Sequence, residues 1–508
     1  MNLAELLREE SRWTYTENGA DALNTTGGAL VDMFSSLPAM RGRDPQAMIR
    51  LFELAWKENP LFALRCLFQL RDVRGGEGER DAFRILLHWA ARTREDAIRA
   101  NLPLIPFYGR FDDCYALLDT PVEHDMWALL RAQLARDRQD MAAGQPVSLL
   151  AKWLKKANSR HADTRALGRY TAGKLGLSEY EYNRLTARLR RYMDVAEVRM
   201  SAREWAAIRY EGVPGRAMLI YRNAFTRHDK ARFSAYLEAV ASGSAAIHSG
   251  TLYPYDIIEK ILYRNEQSPV LEAQWKALPD YVGGGSDILV MADVSGSMYG
   301  RPKASSIGLA LYFAERNRGA YRNLFMTFSS RPQIVNLQGD TLWEKVAFIA
   351  KSQWGMNTNL ISAMQRVLDI AVREKLPQSA LPRALVVITD MEFDQANAPM
   401  RNRRTYSEHI KAMFAEKGYA APCLVFWNVS ARHYVFHADA AEEGVVLVAG
   451  HSAGMFENLI AFLSDGTVIT PRNMMYDVLS GERYAPVQLP DDAETRRWAD
   501  AAREMYAR

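Results

Sequence analysis

Cysteine is nearly absent: Cys66, Cys114 and Cys423 are the three in 508 residues. They are widely separated and form no paired motif, which excludes a disulfide framework and a thiolate zinc site. A reducing, cytoplasmic location is the expectation. Long apolar runs are missing too. No stretch approaches the roughly 20 residues that a membrane helix needs, and the run at 384–389 has strand length. The first ten residues carry Glu5, Glu9 and Glu10 and lack the apolar region of a secretory signal. The nine histidines join no cysteine or serine constellation that would complete a nucleophilic or two-metal site, so no enzyme is expected. A net charge of +4 is too small, at this length, to imply nucleic acid by itself.

What is present describes a globular protein, with 48% hydrophobic and 24% charged residues. The length exceeds one ordinary core, so two or three domains are expected, in a monomer with no membrane partner. The charge is uneven. Residues 151–233 hold 19 Lys and Arg against 8 Asp and Glu, a net of +11, which leaves −7 for the rest. Like charges at that density repel unless a polyanion sits among them. Lys152, Lys155, Lys156, Arg160, His161, Arg165, Arg188, Arg190 and Arg191 are the candidate RNA contacts. The aromatics Trp153, Tyr170, Tyr180, Tyr182, Tyr192 and Trp205 lie among them and could stack on unpaired bases. Solvated helix faces and core aromatics are the plainer alternative.

The first half reads as short amphipathic helices, among them 46–57, 61–70, 81–94, 124–141, 164–175, 178–192, 216–225 and 230–241. Such a succession suggests a helical-repeat array of the HEAT type over residues 1–282, although no clean period is visible. The segment Arg71-Asp72-Val73-Arg74-Gly75-Gly76-Glu77-Gly78-Glu79-Arg80 is a glycine-rich turn before a helix. It could cradle an anion, but it lacks the Lys-Ser/Thr of a phosphate loop and reads better as a tight connection. Three glycines at 283–285 mark a joint. Beyond it strands and helices alternate in the α/β manner. The tail 465–508, with a proline-rich stretch and a last helix at 493–506, is expected to pack back on the body.

The chemistry concentrates after the joint. A strand-length run from Ile288 ends in Asp293-Val294-Ser295-Gly296-Ser297, and a helical pattern follows. Further on, a turn-like loop carries Thr358, and a second buried-type strand ends in Asp390. One carboxylate and two hydroxyls on one loop, a hydroxyl on a second and a carboxylate on a third are hard oxygen ligands. They suit Mg²⁺ or another hard divalent cation, and the crevice beyond the strand ends is where an open α/β sheet binds ligands. Helix capping alone is the competing account of Asp293 and the serines.

This set of loops resembles the von Willebrand factor A domain and its metal-ion-dependent adhesion site. The resemblance implies a doubly wound, Rossmann-like domain over 283–464. Asp293, Ser295, Ser297 and Thr358 would approach the metal, and Asp390 would act mostly through water. One coordination position would be left for an acidic side chain of a protein partner. A helical-repeat half followed by such a domain is similar to the TROVE family, whose helical ring holds small noncoding RNA and single-stranded RNA ends. The local wording is closer to a TROVE-like sister family, at Glu17-Asn18-Gly19, Leu70–Arg80, Pro214, Phe225 with His228-Asp229, and Asp390-Met391-Glu392-Phe393-Asp394. The expectation is therefore a non-catalytic RNA-binding scaffold that recruits a partner through its metal site. The alternative is a protein-interaction module whose helices bind peptide and whose basic stretch is surface.

Overall fold

The computed structural model describes residues 7, 10–282, 287–328, 332–351, 360–394, 404–455, 457, 459–460 and 468–490. Thr358, the glycine joint and the expected last helix lie outside them. The chain forms two compact units, each built from separated segments. The first comprises Met1–Leu70, Gly75–Ala82 and Leu252–Tyr484, and the second Arg71–Arg74, Phe83–Thr251 and Ala485–Arg508. That division differs from a cut at 282, because the first seventy residues group with the sheet that follows the joint.

The first unit holds a small antiparallel hairpin, β1 (Trp13–Tyr15) and β2 (Asp21–Leu23), and a sheet of six strands. These are β3 (Ile288–Ala292), β4 (Leu324–Thr327), β5 (Ile334–Asn336), β6 (Ala384–Thr389), β7 (Cys423–Asn428) and β8 (Val445–Ala449), in spatial order β5-β4-β3-β6-β7-β8. Every neighbouring pair is parallel except β4 with β5, where β5 closes one edge. Strands β3, β6 and β8 are buried at every residue. This is why they read as continuous apolar runs rather than alternating ones.

The chain moves outward from β3 on one side through β4 and β5, and on the other through β6, β7 and β8. The reversal falls between β3 and β6, so the crevice at their carboxyl ends is the topological switch point. Asp293 and Asp390 follow these two strands directly. The helix Arg301–Arg316 packs across β3, β4 and β6. At Gly308 it approaches the helix Pro254–Arg264 so closely that a Cβ would lie 3.1 Å from Pro254 Cβ.

The N-terminal segment joins this unit by backbone pairing, which no local pattern announces. Leu23 exchanges hydrogen bonds of 2.9 and 2.8 Å with Phe436, and Ala431 N donates to Ala39 O at 3.0 Å. The helix Pro45–Glu58 is legible in the sequence: Asp44 caps it through Gln46 N at 3.0 Å, Pro45 starts it, and Ala47, Met48, Leu51, Phe52 and Ala55 form its buried stripe. The glycine-rich turn is a packing device. Gly78 has φ +62° and lies where a Cβ would strike Tyr253 Oη at 2.3 Å, while Glu77 and Glu79 are buried beside it. Two buried carboxylates disfavour an anion there.

The second unit is helical, with Glu123–Ala142, Ala162–Lys174, Glu179–Tyr192, Gly215–His228 and Lys230–Ala241 as its longer members. A buried ionic cluster ties its start together. Arg71 Nε meets Asp113 Oδ2 at 2.8 Å, Arg84 reaches Asp113 at 2.7 Å and Asp112 at 2.9 Å, and Arg110 pairs with Asp112 at 2.9 Å. Among the described residues no helix is long and apolar enough to cross a membrane. All three cysteines are free, and burial pushes the Cys66, Cys114 and Cys423 thiols up, away from nucleophilic character.

Candidate metal centre

Strand β3 delivers Asp293 to the switch point and holds it there, since Asp293 N continues the ladder by donating to Ile388 O at 2.9 Å. Its carboxylate is buried at 1% exposure. Oδ1 accepts from Ser295 N at 2.8 Å, and Oδ2 accepts from Thr389 Oγ1, also at 2.8 Å. The hydroxyls of Ser295 and Ser297 are 2.9 Å apart. The first bond has the form of a local Asx turn, so the loop is preshaped by its own sequence.

Asp390, one residue past β6, is 2% exposed. Its Oδ1 accepts from Glu392 N at 3.3 Å, while its Oδ2 is buried without a hydrogen bond among the described residues. Burial, and then the neighbouring Asp390, raise the Asp293 pKa to about 6. Two carboxylates sharing a dry site are costly unless positive charge joins them, and Arg432 at 3.8 Å from Asp390 Oδ2 supplies only part of it. The donor set therefore fits a hard divalent ion: two carboxylates, one with an oxygen that accepts no hydrogen bond among the described residues and has Arg432 Nε 3.8 Å away, beside two serine hydroxyls. Of the five residues expected at the metal, Asp293, Ser295, Ser297 and Asp390 come together. Thr358 is outside the described residues.

Four further residues converge here that the sequence reading did not assign. Arg432, in the loop after β7, donates through Nη2 to Ser297 O. Its Nε is 3.8 Å from Asp390 Oδ2, and its Nη1 is 3.6 Å from Glu17 Oε2. Glu17 arrives on the turn between β1 and β2, which closes through Thr16 N to Ala20 O at 2.9 Å and requires φ +82° at Gly19. That turn is fastened to the loop after β6. Thr16 Oγ1 donates to Phe393 O at 2.7 Å, Glu17 N to Glu392 Oε2 at 2.5 Å, and Asn18 Nδ2 to Glu392 O at 2.7 Å. His433 Nδ1 completes the group, 3.0 Å from Glu392 Oε1. Behind the loop, His437 is buried and its Nε2 meets Met391 O at 2.9 Å. Burial lowers its pKa to about 4, so the ring is a neutral prop. The signal available beforehand was the pair of short motifs at 17–19 and 390–394, whose spatial joining needed the fold.

The candidate RNA contacts belong to the second unit and do not form one surface of free cations. Arg190 is a structural anchor, with Nε on Ala151 O at 2.7 Å and Nη2 on Leu154 O at 3.0 Å. Lys152 is paired with Glu197 at 3.2 Å, Lys155 lies over the Tyr115 ring at 5.5 Å, and Arg165 donates to Ser159 O at 2.9 Å. Lys156, Arg160, His161 and Arg191 are exposed. Arg188 lines a groove of about 370 Å³ between the helices Glu123–Ala142 and Glu179–Tyr192. Arg138 and Arg184 share that groove, and among the described residues none of the three arginines makes an ion pair. Of the aromatics, Tyr182 is core and Tyr180 is 71% exposed.

Two family profiles match the chain. One, described as "Domain of unknown function (DUF2828)", covers residues 16–166 and 150–283; the other, described as "Domain of unknown function (DUF7788)", covers 287–495. A relative from Acanthamoeba polyphaga mimivirus, "Uncharacterized protein L728", is 25% identical over 516 residues, spanning 93% of this chain and 88% of that protein.

Proposed function

The chain belongs to the DUF2828 family, and from its own residues we propose that it is a non-catalytic scaffold which engages a partner's acidic side chain through a divalent cation. The observation that carries this reading is the buried Asp390 Oδ2, without a hydrogen bond, next to a protonation-prone Asp293 and two hydroxyls at the switch point of the sheet. The strand order and the Asp-x-Ser-x-Ser loop support a von Willebrand factor A type of site. Asp293, Ser295, Ser297 and Asp390 would hold the ion, which supplies a Lewis-acidic position for a carboxylate. Arg432, 29% exposed beside the same oxygens, is placed to orient that carboxylate.

Millimolar Mg²⁺ or Mn²⁺ should raise the melting temperature, by the equivalent of about 2.7 kcal/mol at one hundred times Kd. Asp293→Ala should abolish the shift. No shift in the wild type at millimolar metal would sink the reading.

A second reading, RNA binding by the helical unit, is favoured by the groove whose Arg138, Arg184 and Arg188, with Glu181 beside them, make no ion pair among the described residues, and by the exposed Lys156, Arg160 and Arg191. Reversing Lys156, Arg160, Arg188 and Arg191 to Glu should weaken single-stranded RNA binding by at least about ten-fold and flatten its salt dependence. Arg190 is left intact because its role is internal. Fluorescence anisotropy with a labelled oligonucleotide at low salt is the measurement; equal binding by wild type and variant leaves the basic stretch as solvated surface.

A further inference from the structure

We infer that Glu17, Glu392 and His433 form a second cation site, distinct in its residues from the Asp293 centre, that takes a borderline transition ion such as Zn²⁺. The three residues come from the N-terminal turn, the loop after β6 and the loop after β7. Each offers a ligand atom, and these atoms lie within 4.8 Å of one another. His433 Nδ1 and Glu392 Oε1 are 3.0 Å apart as a hydrogen-bonded pair; ligands of a tetrahedral ion at about 2.1 Å fall roughly 3.4 Å apart, so an ion replaces that bond with a slight opening. The remaining separations, within 4.8 Å, must close toward that spacing, and Glu17 and His433 are the two exposed members that can move.

Glu392 is the rigid member. It is 3% exposed, and its position is set by bonds from Glu17 N and Asn18 Nδ2. The acidic cleft already draws one positive charge, which an ion at this site would displace from Glu17. The single Arg432 guanidinium reaches both Glu17 Oε2 and Asp390 Oδ2, so the buried Asp390 oxygen without a hydrogen bond faces the cleft that Glu17 borders.

The donor set decides the class of ion. An imidazole with two carboxylates suits Zn²⁺, Mn²⁺ or Fe²⁺, whereas the all-oxygen Asp293 centre suits Mg²⁺. Binding requires Nδ1 of His433 as a lone-pair donor. The ring is accessible to an incoming ion, with a side chain 58% exposed. Three protein ligands leave positions for water or for a ligand atom. The loops after β6 and β7 border both sites, and Arg432 lies between Asp390 of one and Glu17 of the other.

The test is metal stoichiometry of the full chain by equilibrium dialysis against Zn²⁺ with elemental analysis, repeated for His433→Ala, Glu17→Gln and Asp293→Ala. Because Glu17 and His433 are exposed, these two substitutions spare the core, and circular dichroism checks the fold. The expected result is one Zn²⁺ that Asp293→Ala retains and that His433→Ala and Glu17→Gln each weaken by at least about ten-fold. Co²⁺ in place of Zn²⁺ should show a visible spectrum that changes on His433→Ala and on Glu17→Gln but not on Asp293→Ala. Zinc binding unaffected by His433→Ala, or lost only in Asp293→Ala, overturns the inference while leaving the first centre standing. Loss of the Mg²⁺ response with Zn²⁺ still held at His433 would remove the proposed function and keep this site.

Discussion

Asp113→Ala should cost the helical unit about 3–5 kcal/mol, the range found when one partner of a buried ion pair is removed. Asp113 is fully buried and accepts from Arg71 Nε, Arg84 Nε and the Arg110 backbone amide at 2.8, 2.7 and 2.9 Å. Arg71 is itself 3% exposed in its side chain, so truncation leaves a guanidinium in a dry site without its counter-charge. Three connections loosen together: the end of the helix Pro60–Arg71, the helix Asp81–Thr93, and the turn at Gly109, where a Cβ would lie 2.4 Å from Asp113 Oδ2. With a unit of this size the transition should fall by on the order of 10 °C. Differential scanning calorimetry resolves it from the sheet-containing unit, whose transition should stay in place. Asp113→Asn should recover part of the loss by keeping the shape. A shift of the helical transition below about 2 °C would mean that the cluster contributes no net stability.

Glu77→Gln should remove a pH dependence from the sheet-containing unit. Burial holds the Glu77 carboxyl up at about 8, with Glu79 adding to the shift and the amides of Ser452 and His451 and the Gln69 side chain opposing it. The folded chain thus keeps a proton that the unfolded chain releases near 4.5. Between these values the folded state binds more protons, so stability falls as pH rises, by about 1.4 kcal/mol per unit. The contribution is fully present below about 4.5 and gone above about 8. Its total is on the order of 5 kcal/mol, and the neutral glutamine does not lose it. Urea midpoints at pH 6 and pH 9 should therefore separate for the wild type and converge for Glu77→Gln. Equal midpoints in the wild type would show that the carboxyl titrates normally. The geometry explains the burial: Gly450 has φ +105°, and a Cβ there would lie 2.1 Å from Glu77 Oε2, so the loop after β8 closes directly onto this side chain.

Arg71 and Glu77 both come from the glycine-rich stretch, which the sequence marks as a turn without saying what it holds. The glycines announce the turn because only they accept its backbone, as at Gly78. The partners Asp113 and Gly450 are far along the chain, and charge or spacing alone cannot select them. The basic stretch carries the same lesson. Its net charge is a property of composition, whereas the assignment of Arg190 to two carbonyls and of Arg188 to an open groove depends on which helix face packs inward.

The alternation of strand and helix after residue 287, the all-apolar β3 and β6, and the delivery of Asp293, Ser295, Ser297 and Asp390 to strand ends were determined by sequence alone. Burial on both faces leaves an unmistakable apolar run, and a polar cluster at its end has nowhere else to go. Tertiary structure decided the rest. The short β1–β2 hairpin is held by hydrogen bonds to Glu392, Phe393 and Phe436, and three-residue strands carry too little periodicity to be read. Glu17, Glu392, Arg432 and His433 meet only because that hairpin docks on loops some four hundred residues away. Side-chain type is local information. Which side chains share a cleft is set by closing long loops, whose entropic cost depends only weakly on their length, so sequence separation says almost nothing about it.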